Sequence, residues 1–379
     1  MSTSPTTPSS RRGDPEPAGD AEPEMEPETD PEIDPEIDAG VFALPPGADP
    51  TLDWGLRSHL DPDGAPRIIE RHLTVPPELA GLRLDHFVKT QIPRLSRTRI
   101  QGIIGDQLRR GDGHAPKPAT IVAANDHYVI RRPAQPEPPC PRTFGVIVTD
   151  PRFYVIDKPA GLPVHASAKF YFNTLTRVLD ERFPGEPELQ ICHRLDRETS
   201  GCLVVARDRA AAAAIKQAFA TKARVTKQYL AVVHGQPPWD AEHTIDLPLR
   251  VALPGDPTKL PHVRMLTGPG GLPAITRVRV ERRAGGHALV RATLVTGRQH
   301  QIRAHLAAAG FPIVGDKLYG HGDDAFMRFC SEGLVPELAR LFVLPRHALH
   351  AARVVFPHPG GGAVTADAAL PADLAGLLA

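Results

Sequence analysis

The sequence predicts an α+β fold in a chain with more than one domain. The chain has 379 residues, which is enough for about two hydrophobic cores of ordinary size. After residue 143, strand-type and helix-type apolar patterns mingle without any repeat, as is typical of α+β domains. The proline-rich stretch RRPAQPEPPCPR, residues 131–142, separates these patterns from a shorter helical region and predicts a stiff linker, which we place at residues 134–143.

The first 40 residues differ from the rest of the chain in charge. Residues 14–38 hold twelve of the 44 acidic groups and none of the 44 basic ones. Because this stretch alternates Pro with Asp and Glu and has little apolar surface to bury, we expect residues 1–40 to be a disordered acidic tail. Residues 41–379 then carry 42 basic against 32 acidic groups. This excess predicts a polyanionic partner such as RNA or DNA, although solvated surface charge without a partner would give the same balance.

Several classes of protein are disfavoured by what the sequence lacks. It has no apolar stretch of signal-peptide or membrane-spanning length, and its four cysteines have no paired spacing, which favours reduced thiols. No glycine-rich phosphate loop follows a predicted strand. His300 and His305, five residues apart on a predicted helix, would lie about 140° apart around its axis, unlike the i, i+4 pair of a zinc helix. We therefore expect a cytoplasmic monomer with no metal, no cofactor and no membrane contact.

Residues 73–133 are the first predicted ordered unit, after an irregular extension at residues 41–72. Within it, LRLDHFVKTQIPRLSRTRIQGIIGDQLRRGDG has apolar groups at helical spacing. Ser96 is positioned to cap a helix that begins at Arg97, and Gly105 is positioned to end it. Basic residues surround the apolar groups and could meet phosphates, although a solvated amphipathic helix would show the same pattern; the relevant ones are Arg97, Arg99 and Arg109.

Residues 144–379 contain the longer series of mingled patterns. FGVIVTDPRFYVIDKPAGLPVH predicts two strands broken at Asp150, with a loop after the second. There follow a helix near Leu175–Phe183, the strand CLVVAR, an alanine-rich helix over Arg209–Lys222 and the strand KQYLAVVHG. Further on, TLVTGRQHQIRAHLAAAGFPIVGDKLYG predicts a helix in which Arg303 lies beside apolar groups. A shielded arginine requires a carboxylate partner.

The stretch HRLDRETSG, residues 193–201, places a single aspartate before a turn. In isolation, Asp196 would be interpreted as a turn or helix-cap residue. Together, however, KPAGLPVH, HRLDRETSG, KQYLAVVHG and TGRQHQIRAHLAAAGFPIVGDKLYG resemble the motif set of the RluA-type pseudouridine synthases, which isomerise uridine in structured RNA. The resemblance implies a catalytic domain with a mixed, largely antiparallel sheet flanked by helices. Residues 73–133 resemble the small α/β RNA-binding module named after ribosomal protein S-four.

The resemblance also implies roles for individual residues. Asp196 is the expected catalytic carboxylate, Arg303 its guanidinium partner, and Tyr229 the aromatic residue that stacks on the target uracil. Arg194 is expected to fill the space that a flipped-out base leaves. His193, Lys158 and Arg298 match motif positions, and holding loops together explains them at least as well as catalysis does. The residues expected to contact RNA are Arg97, Arg99, Arg109, Arg194, Lys227 and Arg298.

The implied activity is isomerisation of specific uridines to pseudouridine. An RNA-binding module ahead of the catalytic domain favours large-subunit ribosomal RNA, whereas VHASAKFYFNTL is similar to relatives that modify transfer RNA. The carboxylate could capture the ribose cation, stabilise it, or remove the neighbouring sugar proton, and the sequence leaves these three open. A nucleic-acid N-glycosylase is disfavoured because only Glu198 offers a second nearby carboxylate. A non-catalytic RNA-binding protein is the alternative from a different class.

Overall fold

The computed structural model describes residues 44–45, 48–93, 95–167, 169–222 and 224–379. The predicted acidic tail, residues 1–40, lies outside the described residues. Within the described ranges, no helix is long and apolar enough to cross a membrane. The same ranges contain no group of three or more His, Cys, Asp or Glu side chains placed to hold a metal ion.

The first unit is a three-stranded antiparallel sheet covered by two helices. Its elements are β1 (Ile68–Thr74), a short 3-10 helix (Pro77–Leu79), α1 (Leu84–Gln91), α2 (Arg97–Asp106), β2 (Leu108–Arg110) and β3 (His127–Pro133). The strand order is β1-β3-β2, and the helices bury apolar side chains against the sheet around Phe87, Ile104 and Tyr128. This sheet with its two helices is called the N-terminal module below.

Two boundaries in the N-terminal module differ from the prediction. Helix α2 begins at Arg97, with the Ser96 side chain accepting from the amide of Arg99 at 3.3 Å, but it continues past Gly105. The helical hydrogen bond from the Gln107 amide to Ile103 carries the chain through that glycine. Strand β1 begins at Ile68, upstream of the predicted module boundary at residue 73, and all seven of its residues pair with β3. The end of the predicted irregular extension is therefore regular sheet.

The predicted linker has neither helix nor strand, yet it is not a free spacer. The Arg142 amide donates to Asp53 and the Cys140 amide to Trp54, both carbonyls of the upstream extension. The buried Glu137 carboxylate accepts from two backbone amides farther along the chain, those of Phe172 and Asn173. A glutamate in a proline-rich linker would be expected in solvent, but the Glu137 side chain instead attaches this segment to the residues after it.

The second unit is built on a ten-stranded sheet. In chain order its elements are β4 (Gly145–Thr149), β5 (Phe153–Lys158), α3 (Leu175–Arg182), β6 (Gln190–Ile191), β7 (Ser200–Ala206), α4 (Arg209–Thr221), β8 (Thr226–His234), β9 (His243–Asp246), β10 (Leu249–Val251), β11 (Met265–Thr267), β12 (Ile275–Ala284), β13 (His287–Leu294), α5 (Gln301–Ala308), α6 (Gly322–Glu332), α7 (Pro336–Phe342), β14 (Leu349–Pro357), β15 (Ala363–Asp367) and α8 (Ala372–Gly376). The strands follow the order β4-β5-β7-β14-β8-β13-β12-β9, while β6 and β15 pair with β7 and β14.

Only the contact between β7 and β14 is parallel; the other described pairings in this sheet are antiparallel. At that contact Gly201 has φ +109°, and a Cβ there would lie 2.3 Å from the Ala351 carbonyl oxygen. Any side chain would therefore separate the two central strands. The predicted α+β class, with a mixed and largely antiparallel sheet flanked by helices, is confirmed.

Strands β10 and β11 form a separate two-stranded sheet. Leu249 and Leu260 pack with Ala304 of α5 and with Leu318 and Tyr319 after it. This small apolar cluster attaches the segment over residues 249–267, called the β10–β11 segment below, to the helix that carries Arg303. The attachment matters because the functional side chains gather at that helix.

Candidate active site

Asp196 lies in the loop that connects β6 to β7, and two sets of backbone contacts fix that loop. The Thr199 amide donates to the Asp196 carbonyl at 3.0 Å and closes a turn. Lys158, at the end of β5 and fully buried, donates to the carbonyls of Pro159, Leu162 and Arg197 at 2.8 to 3.0 Å. Burial lowers the pKa of Lys158 to about 7. All three hydrogen bonds end on backbone oxygens, so Lys158 holds the two loops together.

Arg303 of α5 reaches Asp196 across 107 residues of sequence. Its Nη1 donates to Asp196 Oδ2 at 3.0 Å, and the exposed fractions of the two side chains are 9% and 22%. Asp196 is thus the more accessible partner of a mostly buried ion pair. In such a setting an uncompensated charge would be costly, and pairing fixes the orientation of the carboxylate.

A second carboxylate holds Arg303 from the other side. Asp316 is fully buried and accepts from Arg303 Nε at 2.7 Å and from Nη2 at 3.0 Å. Its Oδ1 also accepts from the amides of Leu318 and Tyr319, at 3.0 Å each. This bidentate contact leaves Nη1 for Asp196 and restricts where that nitrogen can lie.

The electrostatic environment keeps Asp196 ionised. Burial by itself raises the pKa of its carboxyl, but His300, Arg303 and His347 lower it more, so that the pKa of Asp196 is about 2. Burial lowers the pKa of His347 to about 3, which makes that ring neutral at neutral pH. The permanent cation against the carboxylate is therefore Arg303, whose own pKa is raised well above its ordinary value chiefly by Asp316.

Tyr229 lies on β8, in the middle of the sheet, and is 7% exposed. Burial raises the pKa of its hydroxyl above the ordinary value, and the nearby charge of Asp196 raises it further. The phenol is consequently neutral at neutral pH. Its ring belongs to the main hydrophobic core. Because the charge of Asp196 acts on Tyr229, an aromatic side chain lies near that carboxylate.

Glu198 has a structural environment although it is only two residues from Asp196. Lys317 donates to Glu198 Oε1 at 2.7 Å, and the His347 amide donates to Oε2 at 2.9 Å. Burial raises the pKa of Glu198, but Lys317 and other cations bring it to about 2. A carboxylate with both oxygens occupied is poorly suited to activating water, which weakens the N-glycosylase alternative.

The predicted RNA-contacting residues fall into two groups. Arg194 is half-buried near Asp196, and burial lowers the pKa of its guanidinium while the Asp196 charge raises it. Lys227 Nζ lies 5.2 Å from the centroid of the Phe219 ring, and Arg298 Nε donates to the Pro273 carbonyl at 3.3 Å. These three residues belong to the elements around Asp196. The others, on α2 and β2 of the N-terminal module, are Arg97, Arg99 and Arg109.

The arginines of the N-terminal module differ in how strongly they are held. Arg97 is 68% exposed and lies 3.7 Å from the buried Asp85. Arg109 Nη1 donates to the Leu108 carbonyl at 2.7 Å, next to the carboxyl end of α2. Arg99 is exposed on α2. Arg97 and Arg99 are thus exposed, whereas Arg109 is partly buried.

The histidines near the site serve mainly as structural contacts. The His193 ring stacks on Phe219 with centroids 4.7 Å apart, its Nε2 accepts from the Val204 amide, and burial lowers its pKa to about 3. His305 is fully buried between Thr276 and the Leu247 carbonyl. His300 differs, because it lies close enough to Asp196 to lower the pKa of that carboxyl.

Sequence reasoning did not single out Asp316, Lys317 or Tyr319, and it considered His300 only as a metal ligand, which it rejected. The pattern around Arg303 predicted a carboxylate partner, but Asp196 alone was assigned to it. A signal for Asp316 was present in GDKLYG, where a lone aspartate follows a glycine with φ +77° in a turn just after the arginine helix. For His300 no local signal exists, since its approach to Asp196 depends on the tertiary fold.

Known proteins resemble this chain over most of its length. The family model for RNA pseudouridylate synthase matches residues 152–308. The chain is 34% identical over 317 residues to ribosomal large subunit pseudouridine synthase D of Xanthomonas campestris, covering 81% of this chain and 91% of that protein. It is 33% identical over 318 residues to the protein of the same name from Pseudomonas aeruginosa, covering 82% of this chain and 95% of that protein.

A solved human structure, RNA pseudouridylate synthase domain containing 4, is 28% identical, with 61% of this chain and 90% of that chain covered and a TM-score of 0.48. The family match does not extend to the N-terminal module, so its likeness to the S-four module stays a prediction. Identity above 30% over four fifths of the chain, together with the family match, decides the assignment: the chain belongs to the RNA pseudouridylate synthase family and is an isomerase that acts on RNA.

Proposed function

We propose that this enzyme converts specific uridines of large-subunit ribosomal RNA to pseudouridine, with Asp196 as the catalytic carboxylate. The names of the relatives from Xanthomonas campestris and Pseudomonas aeruginosa support the choice of RNA. The observation that carries the catalytic assignment is the chain of contacts from Asp316 through Arg303 to Asp196. These contacts keep the Asp196 carboxylate ionised and partly accessible, next to the buried side chains of Arg303 and Asp316.

The reaction exchanges one bond for another at the ribose. The bond between uracil N1 and ribose C1′ breaks, the base turns, and a bond forms between uracil C5 and C1′. The proton on C5 is lost and N1 gains one, so that atoms balance without redox equivalents or a group donor. Bond breaking builds positive charge on the sugar, and an ionised Asp196 can capture it, stabilise it, or take the neighbouring sugar proton.

The surrounding side chains fit distinct parts of this reaction. Tyr229 offers a neutral aromatic face on which the uracil ring can stack, close to the carboxylate. Arg194 can stack its planar guanidinium in the gap that a flipped base leaves in the RNA, which a lysine could not do. Arg303 acts through Asp196, so we regard it as a positioning residue for that carboxylate.

The remaining basic residues are proposed RNA contacts. Lys227 and Arg298 would meet phosphates near the target nucleotide, whereas Arg97, Arg99 and Arg109 would meet RNA farther from it on the N-terminal module. Phosphate contacts of this kind supply affinity and little sequence information. We propose further that the enzyme acts as a monomer without a cofactor, and sedimentation of the purified chain with and without RNA tests the first part.

The experiment measures tritium release from RNA labelled at uridine C5, comparing wild type with Asp196→Asn on large-subunit ribosomal RNA and on transfer RNA transcripts. Asp367→Asn is the matched control, because Asp367 is an exposed carboxylate paired with Arg353 away from the site. Asn keeps the shape of Asp but cannot carry the charge. We expect release from ribosomal RNA by wild type and control, and a loss on the order of a thousandfold or more in Asp196→Asn.

Other outcomes would change the proposal in defined ways. Release from transfer RNA alone would replace the proposed substrate while keeping the role of Asp196. Undiminished release by Asp196→Asn would reject Asp196 as the catalytic group. If the pKa of Asp196 is about 2, the carboxylate stays ionised down to about pH 4, so an acid limb of the single-turnover rate above that pH must come from another group.

A further inference from the structure

Tyr319 occupies an unusual position behind the ion pair of Asp196 and Arg303. It is 7% exposed, and two guanidinium groups lie near its ring, with centroid distances of 5.2 Å to Arg303 Cζ and 5.1 Å to Arg264 Cζ. The hydroxyl accepts from the Met265 amide at 2.9 Å. On its other side it lies 3.2 Å from His300 Nδ1. One side chain therefore touches the arginine helix, the β10–β11 segment and a histidine near the carboxylate.

His300 is held in a backbone conformation that few residues adopt. Its φ is +52°, at the boundary just before α5, and its side chain does not cap that helix. The ring crosses that of Tyr319 at 82° with centroids 5.9 Å apart. In this conformation the imidazole does not cap the helix and contacts the Tyr319 hydroxyl.

The Tyr319 hydroxyl can form a hydrogen bond with the His300 ring whether or not Nδ1 carries a proton. With the Met265 amide as donor, the Tyr319 oxygen keeps its own proton and one lone pair. It can donate to Nδ1 of a neutral His300, or it can accept from Nδ1–H. Loss of the hydroxyl would release the ring from its position and would also leave the Met265 amide without this acceptor.

We propose that Tyr319 is a positioning residue that acts through His300: its hydroxyl fixes the imidazole beside Asp196 and ties that arrangement to the β10–β11 segment. The inference rests on the proposed role of Asp196. His300 and Arg303 then approach the carboxylate from two directions, Arg303 being held by Asp316 and His300 by Tyr319. Both holding residues lie within the turn GDKLYG, so one turn orients both Arg303 and His300.

The β10–β11 segment, which holds the Tyr319 hydroxyl through Met265, is also attached to α6. Arg264 donates to Asp323 at the start of α6 at 2.6 Å, and Lys259 also reaches α6, through Asp324. Leu253 of this segment is half exposed. The segment that donates to the Tyr319 hydroxyl is thus itself held at α6.

The test is a double-mutant cycle in single-turnover tritium release, with enzyme in excess over a full-length large-subunit ribosomal RNA transcript labelled at uridine C5. The variants are Tyr319→Phe, His300→Gln and the double variant. Tyr154→Phe is the matched control, because Tyr154 is equally buried and its hydroxyl donates to Glu186, outside the site. RNA dissociation constants and thermal midpoints are measured for every variant.

We expect Tyr319→Phe and His300→Gln each to slow the single-turnover rate by about tenfold to a hundredfold, as a misplaced catalytic group does, with RNA affinity nearly unchanged. The double variant should be no slower than His300→Gln, since Tyr319 acts through that residue. Tyr154→Phe should lower the thermal midpoint without slowing the reaction. A fully multiplicative double variant, or an undiminished rate in Tyr319→Phe, would overturn the proposal.

Comparison with Asp196→Asn separates this inference from the proposed function. If Asp196→Asn is inactive while Tyr319→Phe reacts normally, only the inference fails; if Asp196→Asn is active, both fail. Should Tyr319→Phe be unstable, His300→Gln still decides, because it leaves the bond from Met265 to the Tyr319 hydroxyl intact. A normal rate in a folded His300→Gln variant would also overturn the proposal.

Discussion

The ion pairs around Asp196 and those of the N-terminal module show opposite uses of charge. Arg303 and Asp316 are 9% and 0% exposed, and they pair through two hydrogen bonds. In the N-terminal module, Arg131 and Glu70 pair across β1 and β3 at 2.9 Å, but their side chains are 58% and 40% exposed. The distances are similar, so the difference between the two regions lies in solvent access.

That difference determines what each region can do. Removing one member of a buried pair leaves an uncompensated charge and destabilises the fold strongly. A buried pair therefore fixes the positions of its two side chains. Exposed pairs are screened by water and salt and contribute little to stability, but their arginines can exchange a carboxylate for a phosphate. We therefore expect substitutions around Asp196 to affect turnover and folding, and substitutions in the N-terminal module to affect RNA affinity.

The largest expected effect is that of Asp316→Asn. It removes the charge that pairs with Arg303, leaving a buried guanidinium with Asp196 as its remaining ionised partner, and should lower the free energy of unfolding by about 3 to 5 kcal/mol. Arg303 could then shift, and single-turnover tritium release should fall by about a hundredfold. Urea unfolding and the release assay measure the two effects. A rate decrease below about threefold would mean that Asp316 does not position Arg303.

The next effect is a loss of stability in acid. The unfolded chain protonates His347 near pH 6.5, but in the folded protein burial lowers the pKa of His347 to about 3. The pKa values of Asp196 and Glu198, each about 2, are also below ordinary values because of nearby cations. All three groups bind protons more weakly when folded, so stability should fall from pH 6.5 toward pH 2, by up to about 1.4 kcal/mol per pH unit for each group.

Urea unfolding from pH 8 to pH 4 measures this loss. His347→Gln should make the upper part of the curve, between pH 6.5 and pH 4, less steep, because it removes one of the histidines that titrate there in the unfolded chain. A free energy of unfolding that stays constant over this range in the wild type would contradict the assignment of His347 as a neutral buried ring.

A smaller effect is expected for the double variant Arg97→Gln/Arg99→Gln. If both side chains bind phosphates, RNA affinity should fall, and the slope of log affinity against log salt should decrease by about one for each arginine that no longer binds a phosphate. Turnover at saturating RNA should stay unchanged. Filter binding over a salt series measures the slope, and an unchanged slope would exclude these arginines from the RNA interface.

The smallest expected effect is that of Glu70→Gln, which breaks the exposed pair with Arg131. We expect a loss of about 0.2 to 1 kcal/mol in the free energy of unfolding, and less at high salt. Urea unfolding at low and high salt tests this. A loss of several kcal/mol would show that exposure does not account for the contrast between the two regions.

The sequence predicted much of the local structure. Ser96 and the apolar spacing after it place α2 within two residues of its observed end, and Asp150 separates β4 from β5 as expected. Such features depend on interactions between residues a few positions apart, which the order of the chain determines directly. The sequence also nominated Asp196, Tyr229 and Arg303, although it did so through a resemblance to a family.

The second carboxylate at Arg303 was not foreseen, nor were the approach of His300 to Asp196 and the burial of Glu137 in the linker. Asp196 and Arg303 are 107 residues apart in sequence, and Glu137 and Phe172 are 35 apart. No local rule fixes such pairs, because they depend on strand order and on which loops meet at the ends of β5, β7 and α5.

By itself, the sequence determined the α+β class, the positions of several elements and the basic character of the folded part, since these follow from short-range geometry and composition. Only the tertiary structure decided which charges are buried and which carboxylate each arginine meets. The physical reason is that the energy of a charge depends on its solvent access. That access exists only once the sheet brings residues from distant parts of the chain together.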